Sequence, residues 1–151
     1  MKVAISACLL GNKCRYDGSE NYDPKLLGKL EGHELIPFCP EDFCYGTPRP
    51  TMDLVEKGGE IKAISNLTQA DLTPPIREYA KAFFDTNKEV ELFIGKDRSP
   101  SCGVCSARLY DTNKKLLSSE ATGIMAQEAK SRGIEAIDAE EYIARSSANT
   151  F

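Results

Sequence analysis

Short strand-like runs separated by helical patterns constrain this chain more than anything else in it. Residues 2–8 (KVAISAC), 34–38 (ELIPF), 90–94 (VELFI) and 135–137 (EAI) are too short for helices and are set off by turn-forming residues. After the first run, Asp23 is placed to cap a short helix with Pro24 at its first position. Leu26, Leu27 and Leu30 form its buried stripe and Gly32 stops it. Thr73-Pro74-Pro75 opens the clearest helix, about 74–86, with Ile76, Tyr79, Ala80, Phe83 and Phe84 on one face. Thr122 begins another helix that Gly133 ends, and a terminal helix covers 139–146. Hairpins are predicted near 53–56 and 60–64, around Lys57-Gly58-Gly59, and at 109–110 and 116–117. The segment CPEDFCYGTPRPTMD reads as too rich in Pro and Gly for regular structure. The alternation predicts one three-layer α/β domain over residues 1–151. Its sheet is mainly parallel and Rossmann-like, with helices on both faces and a small hairpin.

The chain's 151 residues suffice for a packed core without covalent staples. A net charge of −4 argues against a surface dominated by phosphate contacts, so no strong nucleic-acid signal is present. No apolar run approaches membrane-spanning length, and the N-terminus lacks the apolar stretch of a signal peptide. The expectation is a cytoplasmic protein in a reducing compartment. Six cysteines there are not a disulfide scaffold. All of them fall in or beside Gly- and Pro-rich segments and not inside strands or helices, which points to metal binding or thiol chemistry.

Ligands of open parallel sheets bind beyond the carboxyl ends of the strands. Cys8 closes the first run, Cys39 follows the second, and Cys102 lies in the loop after 90–94, so the topology brings these three to one sheet edge. Cys14, Cys44 and Cys105 lie farther along the same segments and read as spare thiols, a fourth ligand or catalytic groups. Cys102-Gly-Val-Cys105 has the spacing of a zinc knuckle and Cys39-x₄-Cys44 is near it, but a Cys₄ zinc site would leave Cys8 without a role. Thiolate sets with little histidine also suit iron–sulfur clusters. The one histidine, His33, precedes the second run, at the opposite edge from the cysteines, and reads as a surface residue.

Five strings in order resemble the thiouracil desulfidase family, formerly a bacterial domain family of unknown function. They are Ser6-Ala7-Cys8-Leu9-Leu10-Gly11, Cys14-Arg15-Tyr16-Asp17-Gly18, Cys39-Pro40-Glu41, Thr47-Pro48-Arg49-Pro50 and Arg98-Ser99-Pro100-Ser101-Cys102-Gly103. The resemblance runs from the N-terminus to about residue 140. It implies a [4Fe–4S] cluster held by Cys8, Cys39 and Cys102, with the fourth iron open to substrate sulfur. It matches Glu41 to the family's catalytic acid/base, and its catalytic serine to Ser99 or Ser101. Cys44 and Cys105 depart from the family's motifs.

Each of these residues also has a plainer reading. Arg15 and Asp17 could form a loop salt bridge as readily as serve a site. Arg49, between two prolines, could orient a substrate carbonyl or brace its loop. Glu41 could cap a helix starting near residue 42, and Ser99 and Ser101 could be turn residues. Cys14 remains open between free thiol, fourth ligand and catalytic thiol. Two function classes follow. One is a desulfidase acting hydrolytically on a thionated nucleobase or nucleoside, a small-molecule substrate. The other is a non-catalytic, zinc-stabilised interaction module. A cluster-bearing redox protein, a third class, would need four ligands. Neither oligomeric state nor natural substrate is legible.

Overall fold

The computed structural model describes residues 1–148. Its elements run β1 (Lys2–Ser6), a 3-10 turn (Ala7–Leu10), α1 (Pro24–Lys29), β2 (Glu34–Phe38), α2 (Pro40–Tyr45), β3 (Met52–Lys57), β4 (Glu60–Ser65) and α3 (Thr73–Thr86). They continue through β5 (Val90–Gly95), β6 (Ala107–Tyr110), β7 (Leu116–Ala121), α4 (Ile124–Ser131), β8 (Glu135–Asp138) and α5 (Ala139–Ala148).

The strand-like runs become one four-stranded parallel sheet in the order β2-β1-β5-β8. Period-two alternation decides which helices cover each face. Val3, Ile5, Leu92 and Ile94 pack on one side with Leu26 of α1, with Leu30 just after that helix, and with Tyr142 and Ile143 of α5. Ala4 and Phe93 point the other way, onto Ala80 and Phe84 of α3 and Met125, Ala126 and Ala129 of α4. Phe93 stacks on Phe38 with ring centroids 4.7 Å apart, closing this second layer. Asp23 caps α1 as expected, accepting the Leu26 N–H at 3.0 Å.

The hairpins do not stay small. β3 pairs in parallel with β6 through Leu54–Leu109 and Val55–Tyr110, joining both hairpins into a second sheet, β4-β3-β6-β7. Leu54, Ala63, Ala107 and Leu109 of this sheet bury Ile76 and Ile124, so α3 and α4 bridge the two sheets. Residues 40–45 also differ from the sequence reading, because they form α2. Pro40 takes the first helical position, where its missing N–H is harmless, and Glu41 and Asp42 occupy the electropositive first turn. No helix among the described residues is long and apolar enough to cross a membrane.

β1 connects through α1 to β2 on one side, while the chain leaving β5 reaches β8 on the other. Neighbouring connections that diverge in this way open a crevice at the strands' carboxyl ends.

Candidate functional site: a thiol-lined cavity

A cavity of about 470 Å³ occupies that crevice. Cys8, Cys14, Cys39 and Cys102 all line it, along with Glu41, Arg49, Ser99, Ser101, Arg15 and Lys96. The strand β1 ends at Ser6, so Cys8 sits two residues beyond it in the 3-10 turn. There its Sγ receives Asn21 Nδ2 at 3.8 Å. Cys39 stands between β2 and α2, its N–H donating to Tyr79 Oη at 3.2 Å. Cys14 is buried, and its carbonyl lies 3.8 Å from Cys39 Sγ.

Cys102 is held by a loop that fits only because two residues lack side chains. A Cβ on Gly95 would lie 1.8 Å from the Cys102 carbonyl oxygen, and one on Gly123 would lie 2.6 Å from the Ser101 carbonyl carbon. The loop thereby docks on the start of α4. The carbonyls of Pro100 and Ser101 accept the N–H groups of Ile124 (3.1 Å) and Met125 (2.7 Å), which a helix start otherwise leaves unpaired. From behind, the Asp138 carboxylate accepts from Val104 N (2.7 Å), Cys105 N (2.8 Å) and Ser106 Oγ (2.9 Å).

The two candidate serines separate here. Ser99 Oγ accepts the N–H groups of Cys102 (3.1 Å) and Ser101 (3.3 Å), as a turn residue does. Ser101 Oγ, 1% exposed as a residue, donates to Glu41 Oε2 at 2.6 Å and lies 3.4 Å from Cys102 Sγ. Glu41 therefore does not cap α2, and its other oxygen, Oε1, faces Arg49 Nε at 3.6 Å. Asp17 is absent from the cavity lining and from any ion pair with Arg15. It closes a turn by accepting the Ser19 N–H at 2.9 Å, and Arg15 Nη1 donates to Ser19 Oγ at 3.4 Å.

Burial raises the Cys8, Cys39 and Cys102 thiols above their ordinary range; for Cys8 the Asn21 contact and the Lys96 and Arg15 cations offset it in part. Cys14 is pushed up to about 12, first by burial and then by Cys39 and Cys8 beside it. Neutral thiols are thus the ground state of this cavity, and any cation that binds must displace their protons. The donor chemistry, sulfur without histidine, fits a soft metal centre. Among the described residues no three Cys, His, Asp or Glu side chains are grouped closely enough to hold a single ion. The knuckle-like pairs do not converge either. Cys44 is absent from the lining, and Cys105 is exposed, with its thiol on the Glu120 carbonyl at 3.8 Å.

Sequence reasoning passed over Lys96, Asn21, Tyr79 and Asp138. Lys96 follows the fifth strand directly, so the strand-tip rule that selected the cysteines also reaches it. Tyr79 and Asp138 carry no local signal, because their partners are 40 and 34 residues away.

Thiols, a carboxylate and a serine gathered beyond the tips of a parallel sheet define an α/β protein with its chemistry in a strand-end crevice. Residues 3–141 match the sequence model of the family described as 2-thiouracil desulfurase, and the chain belongs to that family. Among solved structures it resembles the [4Fe-4S]-dependent thiouracil desulfidase TudS, with a TM-score of 0.74 and 28% identity over 97% of each chain. It is also similar to the uncharacterized protein YbbK of Bacillus subtilis (strain 168). The two are 29% identical over 143 residues, covering 87% of this chain and 93% of YbbK.

Proposed function

We propose that the chain, as one functional unit in the reducing cytoplasm, removes sulfur hydrolytically from a thionated nucleobase of the thiouracil kind. In this reading Cys8, Cys39 and Cys102 hold a [4Fe–4S] cluster. Thiols placed around a wide cavity suit a centre several ångströms across better than a single ion, and the similarity to TudS supports the same assignment. When bound, such a cluster supplies a soft Lewis acid for thiocarbonyl sulfur.

The chain's own residues supply the proton chemistry. The observation that carries this is the 2.6 Å bond from Ser101 to Glu41 beside Cys102. Water is a weak nucleophile unless a base within hydrogen-bond reach takes its proton as it attacks. Glu41 Oε2, on the cavity wall, is that base, and Ser101 Oγ holds the carboxylate toward the reacting carbon. The proton taken by Glu41 is returned as sulfur leaves, so C=S and water become C=O and hydrogen sulfide with no change in oxidation state. No reductant is consumed.

The test is anaerobic cluster reconstitution followed by 4-thiouracil without an electron donor, with uracil and sulfide as the expected products. Glu41→Gln should keep its iron and lose turnover roughly a hundredfold or more. Ser101→Ala should lose more activity than Ser99→Ala. Strict dependence on a reductant, or a colourless protein carrying stoichiometric zinc, would overturn this reading.

A further inference from the structure

Arg49 lies in the segment between α2 and β3, and its side chain is 5% exposed. Both terminal nitrogens are engaged. Nη1 donates to the Gly46 carbonyl (3.0 Å) and to Thr47 Oγ1 (2.9 Å), and Nη2 donates to the Cys14 carbonyl (2.8 Å). Its backbone N–H also reaches the Tyr16 carbonyl at 2.8 Å, so Arg49 ties its own loop to the loop that carries Cys14. Nε is different. Among the described residues it is the buried side-chain nitrogen or oxygen without a hydrogen-bond partner, and the carboxylate oxygen Glu41 Oε1 stands 3.6 Å from it.

A planar guanidinium fixed at three points cannot swing toward or away from a neighbour. The distance to Glu41 is then set from the Glu41 side. Bracing two loops needs only the Nη atoms and gives no reason to bury an Nε–H against a carboxylate, where an unmade bond is unfavourable. At 3.6 Å the two form an ion pair and not a hydrogen bond, well outside the roughly 2.8 Å of a charge-assisted bond. At that separation the attraction still fixes which way the carboxylate faces, leaving Oε2 on Ser101.

We infer that Arg49 is a positioning residue of this site, acting through Glu41 and not on the substrate. The inference rests on the reading of Glu41 as the base, and a double-mutant cycle tests it in the reconstituted enzyme. Arg49→Met should lower kcat roughly tenfold to a hundredfold, with KM and iron content close to wild type. In a Glu41→Gln background, measured by single-turnover sulfide release with enzyme in excess, the same change should matter less than about twofold. Should Glu41→Gln release no measurable sulfide, Glu41→Asp serves as the background, because its carboxylate, one methylene shorter, is drawn back from Arg49 Nε. Equal losses in both backgrounds, or a loss that tracks iron content, would make Arg49 a brace and overturn the inference. If Arg49→Met fails to fold, Arg49→Lys, which keeps the buried charge without the fork, runs through the same cycle. Wild type that releases no sulfide from 4-thiouracil would sink the desulfidase reading itself. Active wild type with an additive cycle sinks only the role of Arg49.

Discussion

Of the segments that bring cysteines to the cavity, the two that carry Cys102 and Cys14 are held in opposite ways. The Cys102 loop is buried and pinned from every side: by the close approaches at Gly95 and Gly123, by the start of α4, and by Asp138. Ser101, Cys102 and Val104 are each no more than 5% exposed. The Cys14 loop, residues 11–23, is exposed or half-buried everywhere but at Cys14 and closes on itself through short turns, such as Gly18 N to Arg15 O at 2.9 Å. It is tied to the rest of the protein by separate hydrogen bonds: its Gly11, Asn12, Asn21 and Asp23 N–H groups on the Ala7–Leu9 carbonyls, Asn21 Nδ2 on Cys8 Sγ, Asp23 on the Leu26 N–H, Cys39 Sγ on the Cys14 carbonyl, and Arg49 on the Cys14 and Tyr16 carbonyls. Rigidity is therefore concentrated where a thiol, a hydroxyl and a carboxylate must keep their mutual geometry, and the opposite wall is left adjustable.

Breaking the rigid loop should have the largest effect. In Gly95→Ala the added methyl meets the Cys102 backbone oxygen at 1.8 Å, and a backbone group cannot rotate aside. Strand β5 or the loop must move. A loss of about 3 kcal/mol or more in urea denaturation is expected, at or beyond the upper end for overpacking. A wild-type midpoint would mean the loop yields easily, and the contrast between the loops would fail.

Asp138→Ala attacks the same loop from behind and should rank second. It strips the acceptor from the Val104 and Cys105 N–H groups and from Ser106 Oγ, and the Val104 amide is buried. The expected loss is about 2–4 kcal/mol. Alkylation of metal-free protein with iodoacetamide would then read the loop directly, since the Cys102 thiol should react much faster in the variant. In the wild type, exposed Cys105 should react first and buried Cys102 last.

How much of this was legible beforehand follows from what kind of signal each part carries. The parallel sheet declared itself through local apolar runs, and the strand-tip rule then brought Cys8, Cys39 and Cys102 together. Helix α2 was half legible: the Pro and Gly content of its segment argued against regular structure while a helix near residue 42 was one reading of Glu41, and Pro at a first helical position followed by two acidic residues is a helix start. The joining of the hairpins depends on the pairing of Leu54 with Leu109, 55 residues apart, which no local pattern encodes. The choice between Ser99 and Ser101 likewise needed the fold. The two are chemically alike in sequence and differ only in which partner the loop turns each toward.

A pH experiment sharpens the comparison at the level of the thiols. Burial raises Cys8, Cys39 and Cys102, pushes Cys14 up to about 12, and pushes Tyr79 beside Cys39 up to about 12 as well. An unfolded thiol releases its proton near its ordinary value, so above about pH 9 the unfolded chain binds fewer protons than the folded one. Stability of the metal-free protein should therefore hold from neutral pH to about 9 and then fall steadily toward 12. Cys14→Ser should therefore flatten this slope. A slope left unchanged by Cys14→Ser would mean the cavity does not set this thiol apart.

The smallest effect should come from the exposed turn of the Cys14 loop. Ser19→Ala removes a hydroxyl that donates to Asp17 and accepts from Arg15, but the turn keeps its backbone closure. The Ser19 N–H still reaches Asp17 Oδ1 at 2.9 Å, and the Arg15 N–H still reaches the Ser19 carbonyl at 3.1 Å. These groups face water, which replaces lost partners at little cost. The urea midpoint at neutral pH should match wild type. The change should instead appear in the titration of Asp17. Its carboxyl is held below the ordinary value first by the Ser19 hydroxyl, then by the Ser19 N–H, with Arg15 a smaller influence. A depressed carboxyl supports folding above its unfolded value and loses that support as pH falls through the folded one. Without the hydroxyl, the Asp17 midpoint followed by NMR should move up toward that of an unstructured aspartate, and the small acid-side dependence should shrink. If Ser19→Ala instead lowered the urea midpoint as far as Asp138→Ala does, the Cys14 loop would be as integral to the fold as the Cys102 loop, and the asymmetry between the cavity's two walls would have to be given up.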